Sequence, residues 1–484
     1  GARRASPETV RGATTFDDGA ARLDAASSSA PGRLRVALVD WSQLLEDYLD
    51  NIGVSFESFR GEMSGGWMFG YVDAMRRAGV SVTLFCVSAR VRETSHFTHA
   101  PTGAPLCVLP APRAYRSLRR SIPNPYAATV EEAAGDVRGA RRLWLAALKD
   151  LSSYLSTPAL RLARELRRGR FDAVLCQDYE HGRFDVCSAA ARAAGCSVFA
   201  TFQGGDRSSG WLERAVRGFM LRQTDGLVVA PAAEAARVAS RYRLPSSNVA
   251  RVFNPLDLSE WDADDKQEAR RFVGLPSGAT VVAWHGRVDF RRKGLDVLLD
   301  AWARVSRGRP QRDLRLLLVG TGNDARELRE CVERERPAGL LWMDSYVRSR
   351  ALLRRYLSAA DIYAFPSRHE GFAVAPLEAM ACGLPLVAAD APGVPDILEG
   401  GEASGGLLVP RGDVSSFADA LGRLIDDAEL RQRLGERARA RVREKFSPEA
   451  AGAQLRDFLL RGKHERPAAD ATPTAEALKG TGQG

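Results

Sequence analysis

The stretch HEGFAVAPLEAMACGLPLVAAD, residues 369–390, sets two glutamates, Glu370 and Glu378, eight positions apart around a glycine and a proline. Pro376 suits the first turn of a helix, because its missing N–H is an orphan there in any case. That leaves Glu370 on the preceding loop and puts Glu378 in the first turn. The helix N-terminus between them offers unpaired N–H groups and the positive end of the peptide dipole, which suit an anion. Gly371 lets the backbone come close to a ligand. The two carboxylates can then serve one anionic ligand, taking its hydroxyls while the backbone takes a phosphate. On spacing alone, two ordinary acids favoured by the dipole explain the pattern better.

A second stretch shifts that balance. HGRVDFRRKG, residues 285–294, follows an apolar strand-like run and precedes a helical one, where a parallel sheet presents its ligand-binding loops. Arg287 and Lys293 can aim positive charge at a diphosphate, the arginine as a bidentate fork and the lysine as a point charge. With Arg291 and Arg292 they make a dense basic cluster, which a solvated surface would explain about as well. VGTGND, with Gly320 and Gly322, makes a tight strand-to-helix turn but is not the G-x-G-x-x-G of dinucleotide enzymes, and no phosphate-loop G-x-x-x-x-G-K-[ST] occurs. His96 and His99 resemble a metal pair, but with no third ligand nearby they read as loop histidines, and no metal is expected. Asp178, Glu180 and His181 could join a cleft, although capping helices or solvating loops accounts for each of them more simply.

These candidates need a scaffold. LRVALV (34–39) is a short apolar run suited to a buried parallel strand, and SGGWMFGYVDAMRRAGVSVTLFCV gives a glycine pair, a helix and a second strand. Trp67, Met68, Tyr71, Val72 and Met75 share one face of that helix, and Gly79 ends it. FDAVLCQD, SVFATFQGGD, DGLVVAP and VARVFNPLD continue the strand series. A second βα series runs from ATVVAWHG through LRLLLVGTG, ADIYAFPS, LPLVAAD and GGLLVP, with helices over 295–305, 324–334, after Pro376 and over 414–426. Two α/β units in series, broken near 255–275, put a ligand at the strand C-termini in the cleft between them.

Composition sets the outer bounds. The 484 residues suffice for two or three domains, and 45% apolar with 27% charged content is that of an ordinary globular protein. No apolar run reaches the roughly 18 residues of a membrane-spanning helix. A net charge of +9 favours anionic partners. The seven cysteines form no C-x-x-C pair, and five lie in apolar stretches, so buried thiols in a reducing compartment are expected. Residues 1–32 and 463–484 lack periodicity and read as disordered. APRAYRSLRRSIP, with Arg113, Arg116, Arg119 and Arg120 beside Tyr115, Leu118 and Ile122, and LRLARELRRGRF fit docking on anionic lipid. Solvated helix faces fit them about as well. No nucleic-acid module is visible.

Taken together, these motifs resemble the family-4 glycosyltransferases of the GT-B fold. EGFAVAPLEAMACGLPLVA is similar to that family's E-x7-E signature, HGRVDFRRKG to its G-R-L…K-G loop, SYVRSRALLRRYLSAADIYAFPSRHEGF to its Y-V…A-D…P-S-x-x-E-G-F run, and GGLLVPRGD to its G-x-L-V-x-x-x-D. The likeness is dense from about 280 to 427. In the first half it rests on SGGW and TFQGGD. The resemblance implies an α/β, GT-B architecture of two Rossmann-like domains facing across a cleft, with a C-terminal helix crossing back. The implied organisation is a disordered segment 1–32, an acceptor-side domain 33–256, a donor domain 257–446, a helix 447–462 and a tail 463–484. It implies a retaining enzyme that needs no cofactor or metal, its substrate a UDP- or GDP-linked sugar and its acceptor unidentified. Arg287 and Lys293 would hold the diphosphate and stabilise the leaving group, a use of preorganised charge that suits two departing phosphates. Glu370, with Gly371, Phe372, Ala373 and Val374, would contact the donor sugar, and Glu378 the ribose. Gly65 and Gly66 would approach the diphosphate from the other domain. Gly286 and Gly320 belong to the donor loops, and base selection would rest near Tyr346 and Val347.

Gln203 stands where family members often carry a histidine, so a mechanism needing an imidazole there is in doubt; Gln203 and Asp206 would act on the sugar or acceptor side as polar orienting groups. The long stretch WSQLLEDYLDNIGVSFESFRGEM, at the cleft mouth, is expected to shape acceptor choice. Two other readings stay open. A non-catalytic nucleotide-sugar binder would keep the same fold. A two-carboxylate glycosidase would use Glu370 and Glu378 but leave the basic loop without a task. With buried thiols in a reducing compartment, a cytoplasmic protein is expected, peripheral to the membrane if its basic stretches dock.

Overall fold

The structure is a computed structural model, and it describes residues 33–40, 42–51, 53–63, 66–119, 137–202, 211–347, 349–370 and 373–464. Among these residues the strands form two sheets. The first holds β1 (Arg35–Val39), β2 (Ser81–Ser88), β3 (Ser95–His99), β4 (Ala104–Pro110), β5 (Ala173–Cys176), β6 (Ser197–Phe202), β7 (Gly226–Val229) and β8 (Val249–Ala250). The second holds β9 (Thr280–His285), β10 (Leu314–Val319), β11 (Leu340–Met343), β12 (Ile362–Phe365), β13 (Leu386–Ala389) and β14 (Gly406–Val409). Their orders are β3-β4-β2-β1-β5-β6-β7-β8 and β11-β10-β9-β12-β13-β14. Every pairing is parallel except β3 with β4.

Set β3 aside, and each sheet starts with a strand that has its successors on one side and the later strands on the other. This is the doubly wound Rossmann-like arrangement. The reversal of order opens a crevice at the C-terminal ends of β1 and β5 in one half, and of β9 and β12 in the other. Parallel strands covered on both faces must be apolar on both, and the alternation shows it. Val36 and Leu38 enter one core of the first half, Ala37 and Val39 the opposite one. Val281 and Ala283 are likewise separated from Val282 and Trp284 in the second half.

The last helix, Pro448–His464, returns to the first half as the resemblance implies. Leu455, Phe458 and Leu459 are buried in the core beside β1 and β2. Burying each is worth about 1.5–3 kcal/mol. The return depends on a close crossing with the helix Gly66–Arg77: a Cβ on Gly452 would lie 2.1 Å from the Ala74 carbonyl oxygen.

Several local expectations need correction. The stretch after β1 holds two short helices, Leu45–Asn51 and Phe56–Gly61, the second capped by Ser55, whose side chain accepts from the Ser58 amide. VARVFNPLD contributes a strand of only two residues, because the chain leaves the sheet at Arg251 to cross between the halves. His96 and His99 lie on a strand, not a loop, and face opposite ways because strand side chains alternate. His99 is engaged by Thr102 and the Met63 carbonyl, whereas His96 has two potential ligands as neighbours, Cys107 and Glu165. All seven cysteines are free and six are buried, as the sequence suggested.

Candidate functional site

At the switch point of the second sheet, β9 ends in His285, and the chain then turns through Gly286 to Gly294 before the helix Leu295–Arg307. Gly286 has φ +150° and Gly320 φ +136°, and a Cβ on Gly320 would lie 1.9 Å from the Gly286 carbonyl oxygen. The two loops can touch only because Gly320 has no side chain. They are then tied together: the Val288 amide donates to the Thr321 carbonyl at 3.0 Å, and the Phe290 amide to Asp324 Oδ2 at 2.9 Å.

The loop after β12 is tied to the same turn. The Arg368 amide donates to the Arg292 carbonyl at 2.9 Å, and its guanidinium bridges the Arg291 carbonyl and both oxygens of Asp296. Burial alone would raise the Asp296 carboxyl, but hydrogen bonds and charge from Arg368 hold it below the usual carboxylate range. Arg368 is therefore a structural clamp that the sequence reading did not single out.

The clamp brings Lys293 and Glu370 together. Lys293 Nζ donates to Glu370 Oε1 at 2.7 Å, with Glu370 side chain 9% exposed. Glu378 sits in the first turn of the helix Ala375–Ala381, as Pro376 indicated. His285 Nε2–H donates to Glu378 Oε2 at 2.8 Å and so orients that carboxylate. His285 Nδ1 is buried without a partner, and the Tyr363 hydroxyl donates to the His285 carbonyl at 3.3 Å. No role for His285 was evident in the sequence. Its signal was its place as the last strand residue before Gly286.

Other expected residues fall around this centre. Arg287 is 58% exposed and its nearest acid, Asp289, is 3.9 Å away, so its guanidinium projects from the loop. Arg291 is exposed and pairs with Asp296 at 2.9 Å, a carboxylate that the Arg368 clamp presents to it. Tyr346 is exposed beyond β11, while Val347 packs on the second-half core. Ala373 is buried and Val374 caps the helix that carries Glu378. Gly66 begins the helix Gly66–Arg77. Gly65, Gln203, Asp206, Gly371 and Phe372 lie outside the described residues.

A cavity of about 410 Å³ opens where the halves meet. It is lined from the first half by Phe69, Gly70, Asp73 and Arg77, and from the second by Arg350, Val374 and Glu378. A somewhat larger one, about 450 Å³, lies beside Ala360, Asp361 and Pro385, at the opposite end of the second sheet from Lys293 and Glu370.

At the facing edge of the first half, polar side chains are buried in a network of their own. Arg183 Nη1 meets Asp40 Oδ1 at 2.9 Å, Arg217 lies 3.3 Å from Asp185, and Tyr154 donates to Asp185 at 2.8 Å. Asp178, in a left-handed conformation, accepts from the Glu180 amide and lies 3.5 Å from His181. The expectation that these residues cap a helix or solvate a loop is corrected in part: His181 stands at the N-cap position of the helix Gly182–Ala193 without a side-chain cap bond, but Asp178 is buried, and Arg217 donates to the backbone carbonyls of Glu180 and His181. Burial, then the nearby Asp178 and Glu234 charges, pushes the Glu180 carboxyl up to about 8.

Comparison with known proteins fits this geometry. Residues 279–427 match the family described as Glycosyl transferases group 1, and residues 69–260 match Glycosyltransferase Family 4. The chain is 32% identical over 278 residues to D-inositol 3-phosphate glycosyltransferase of Corynebacterium kroppenstedtii, covering 55% of this chain and 60% of the relative. It is 28% identical over 246 residues to the lipopolysaccharide core biosynthesis mannosyltransferase LpsB of Rhizobium meliloti, covering 50% and 66%. The chain spans about half the length of the curated relatives it matches. Among solved structures, HepE of Anabaena in complex with UDP superposes with a TM-score of 0.63 at 16% identity, over 88% of this chain and all of that one. Sucrose-phosphate synthase of Thermosynechococcus elongatus gives 0.61 at 18%, over 89% and 99%. At those identities the likeness concerns the fold, which is GT-B. With both halves matched and the switch-point loops intact, the chain belongs to glycosyltransferase family 4.

Proposed function

We propose that the protein transfers a sugar from a nucleotide-sugar donor, UDP- or GDP-linked, to an acceptor hydroxyl, with retention at the anomeric carbon. The observation that carries this reading is the Lys293–Glu370 pair, 2.7 Å apart and largely shielded at the second-half switch point. Without ligand, each charge satisfies the other. A bound diphosphate gives Lys293 a stronger anionic partner and leaves Glu370 to accept from sugar hydroxyls. Arg287, projecting from the same loop, adds a second cation for the leaving diphosphate. Glu378, oriented by His285, accepts from ribose hydroxyls.

The acceptor oxygen attacks the anomeric carbon on the face from which the diphosphate leaves, and its proton passes to a departing phosphate oxygen. This same-face course is the one the family resemblance implies. It needs no resident metal, since Arg287 and Lys293 supply the positive charge. HepE and its UDP complexes favour a uridine donor among the candidates. The relatives that act on inositol phosphate and lipopolysaccharide core leave the acceptor class open.

The proposed setting is the cytoplasm, at an anionic membrane surface. Among the described residues no helix is long and apolar enough to cross a membrane. Peripheral docking is supported instead by the helices Gly139–Leu155 and Ala159–Arg168, where Trp144 is 54% and Leu160 85% exposed beside exposed Arg141, Arg161 and Arg164. The first basic stretch supports it less, because Tyr115 is buried and donates to Gln43, and Arg119 pairs with Asp47.

The test is release of nucleoside diphosphate from a panel of sugar nucleotides, with thermal shift on the same ligands. One nucleotide series should stabilise the wild type, and Arg287→Ala and Glu378→Ala should lose that stabilisation. A folded wild type that neither shifts nor turns over at millimolar donor would overturn the reading.

A further inference from the structure

The β3–β4 hairpin at the edge of the first sheet sets His96 directly opposite Cys107. Directly opposed residues of an antiparallel pair share a face, with Cβ atoms about 5 Å apart. The helix Ala159–Arg168 packs against that face, Leu162 and Leu166 entering the same core as Cys107. It carries Glu165, whose Oε2 lies 4.0 Å from His96 Nε2. An imidazole nitrogen, a sulfur and a carboxylate oxygen, from three separate elements, all fall within 4.8 Å of one another.

One feature of this group is costly for the protein alone. Glu165 is only 7% exposed and its Oε2 is buried without a hydrogen-bond partner, a costly condition for a carboxylate. A cation among the three atoms would remove that cost by giving the orphaned oxygen a partner.

We propose that His96, Cys107 and Glu165 form a three-ligand site for a divalent transition-metal ion of the zinc type, fastening the sheet-edge hairpin to the helix Ala159–Arg168. Nitrogen, sulfur and oxygen donors together suit a borderline-soft ion that prefers four-coordination. Metal–ligand bonds of about 2.0–2.3 Å require the ligand atoms to draw in by about an ångström, within reach of side-chain rotation. On binding, the Cys107 S–H bond breaks, its proton leaves to solvent and the sulfur lone pair forms the bond to the metal, with no change of oxidation state. The part-exposed His96 side provides the entry path and a fourth position for water. Arg168 also acts on His96, but two anionic ligands outweigh its single charge. The site lies far along the first half from Lys293 and Glu370, so it is independent of the proposed sugar transfer.

The test uses the full chain, stripped with chelator and titrated with Co²⁺ alone. The expected result is one equivalent bound, a near-ultraviolet thiolate-to-cobalt band with visible bands of a four-coordinate ion, and bleaching by Zn²⁺. Cys107→Ala should abolish the thiolate band, and Glu165→Gln and His96→Gln should each weaken binding at least about tenfold. Cys331→Ala, at the half-buried thiol of the other half, should leave the band in place. Wild type that is folded by near-ultraviolet circular dichroism yet shows no thiolate band overturns the proposal. So does a band that survives Cys107→Ala, or, should that variant not fold, undiminished affinity in both Glu165→Gln and His96→Gln.

Discussion

The two switch points share a strand order and differ in how they use charge. In the second half, Lys293 and Glu370 form a pair of one cation and one anion on neighbouring loops, and a diphosphate can take over one partner. In the first half, Asp40, Arg183, Asp185 and Arg217 are buried and engaged in a network drawn from several elements. Exchanging a partner there would strand a charge in a poorly solvated place. A common topology supplies a crevice, while function depends on which charges can be exchanged. The second half is built to trade partners with a ligand, and the first to hold its shape around whatever approaches it.

The strongest way to break this contrast is Lys293→Ala. If Lys293 is the exchangeable cation, turnover should fall about a hundred- to a thousandfold, as when a preorganised group opposite developing charge is removed. Nucleoside diphosphate release measures it, with circular dichroism as the folding control. A near-normal rate would put the leaving-group charge on Arg287 alone.

Arg183→Ala probes the other side. Removing one partner of a buried pair costs about 3 kcal/mol or more, read from the denaturation midpoint. Burial outweighs the pull of Arg183 and pushes the Asp40 carboxyl up to about 6. Losing the arginine raises it further, so the variant can protonate Asp40 in acid and relieve the stranded charge. Its deficit should therefore be larger near pH 8 than at about pH 5. A deficit independent of pH would mean that Arg183 matters for packing alone.

Glu378→Gln should weaken nucleotide binding by about tenfold to a hundredfold, the worth of hydrogen bonds to a charged group, while leaving stability nearly intact. Titration calorimetry with nucleoside diphosphate would show it. Equal affinity would remove Glu378 from the ribose site.

The smallest effect concerns Glu180. Its folded carboxyl titrates near about 8, whereas an unfolded glutamate does so near about 4.3. Between those values the folded protein binds more protons than the unfolded chain, so stability falls as pH rises through that window. Glu180→Gln removes that loss and should stabilise near pH 8, with little gain at about pH 5. Thermal melts across that range check it, and equal gains at both ends would contradict the raised carboxyl.

Legibility in the sequence follows the same division. Arg287, Lys293, Glu370 and Glu378 lie on two contiguous stretches, so their types and spacing were readable, and the helix after Pro376 formed where proline places it. The apolar runs that become β1, β9, β10 and β13 were readable for a similar reason, since buried parallel strands advertise themselves. The Arg183–Asp40 contact joins residues 143 positions apart, which leaves no local pattern. The hairpin strand SHFTH is polar and lies at a sheet edge, so its periodicity was invisible, and with it the meeting of His96, Cys107 and Glu165. Arg368 went unnoticed because its work, holding two loops together, needs no special neighbour in sequence.

The returning helix Pro448–His464 has a consequence for how the chain is made. The first half forms its strands early, but Leu455, Phe458 and Leu459, which complete its core, come roughly 200 positions after β8. At about 5–20 residues per second, the ribosome leaves that apolar face uncovered for about ten to forty seconds while the whole second half is translated. Synthesis of this protein therefore passes through a stage in which the first half awaits its last helix, and that interval is when a chaperone has the most to protect.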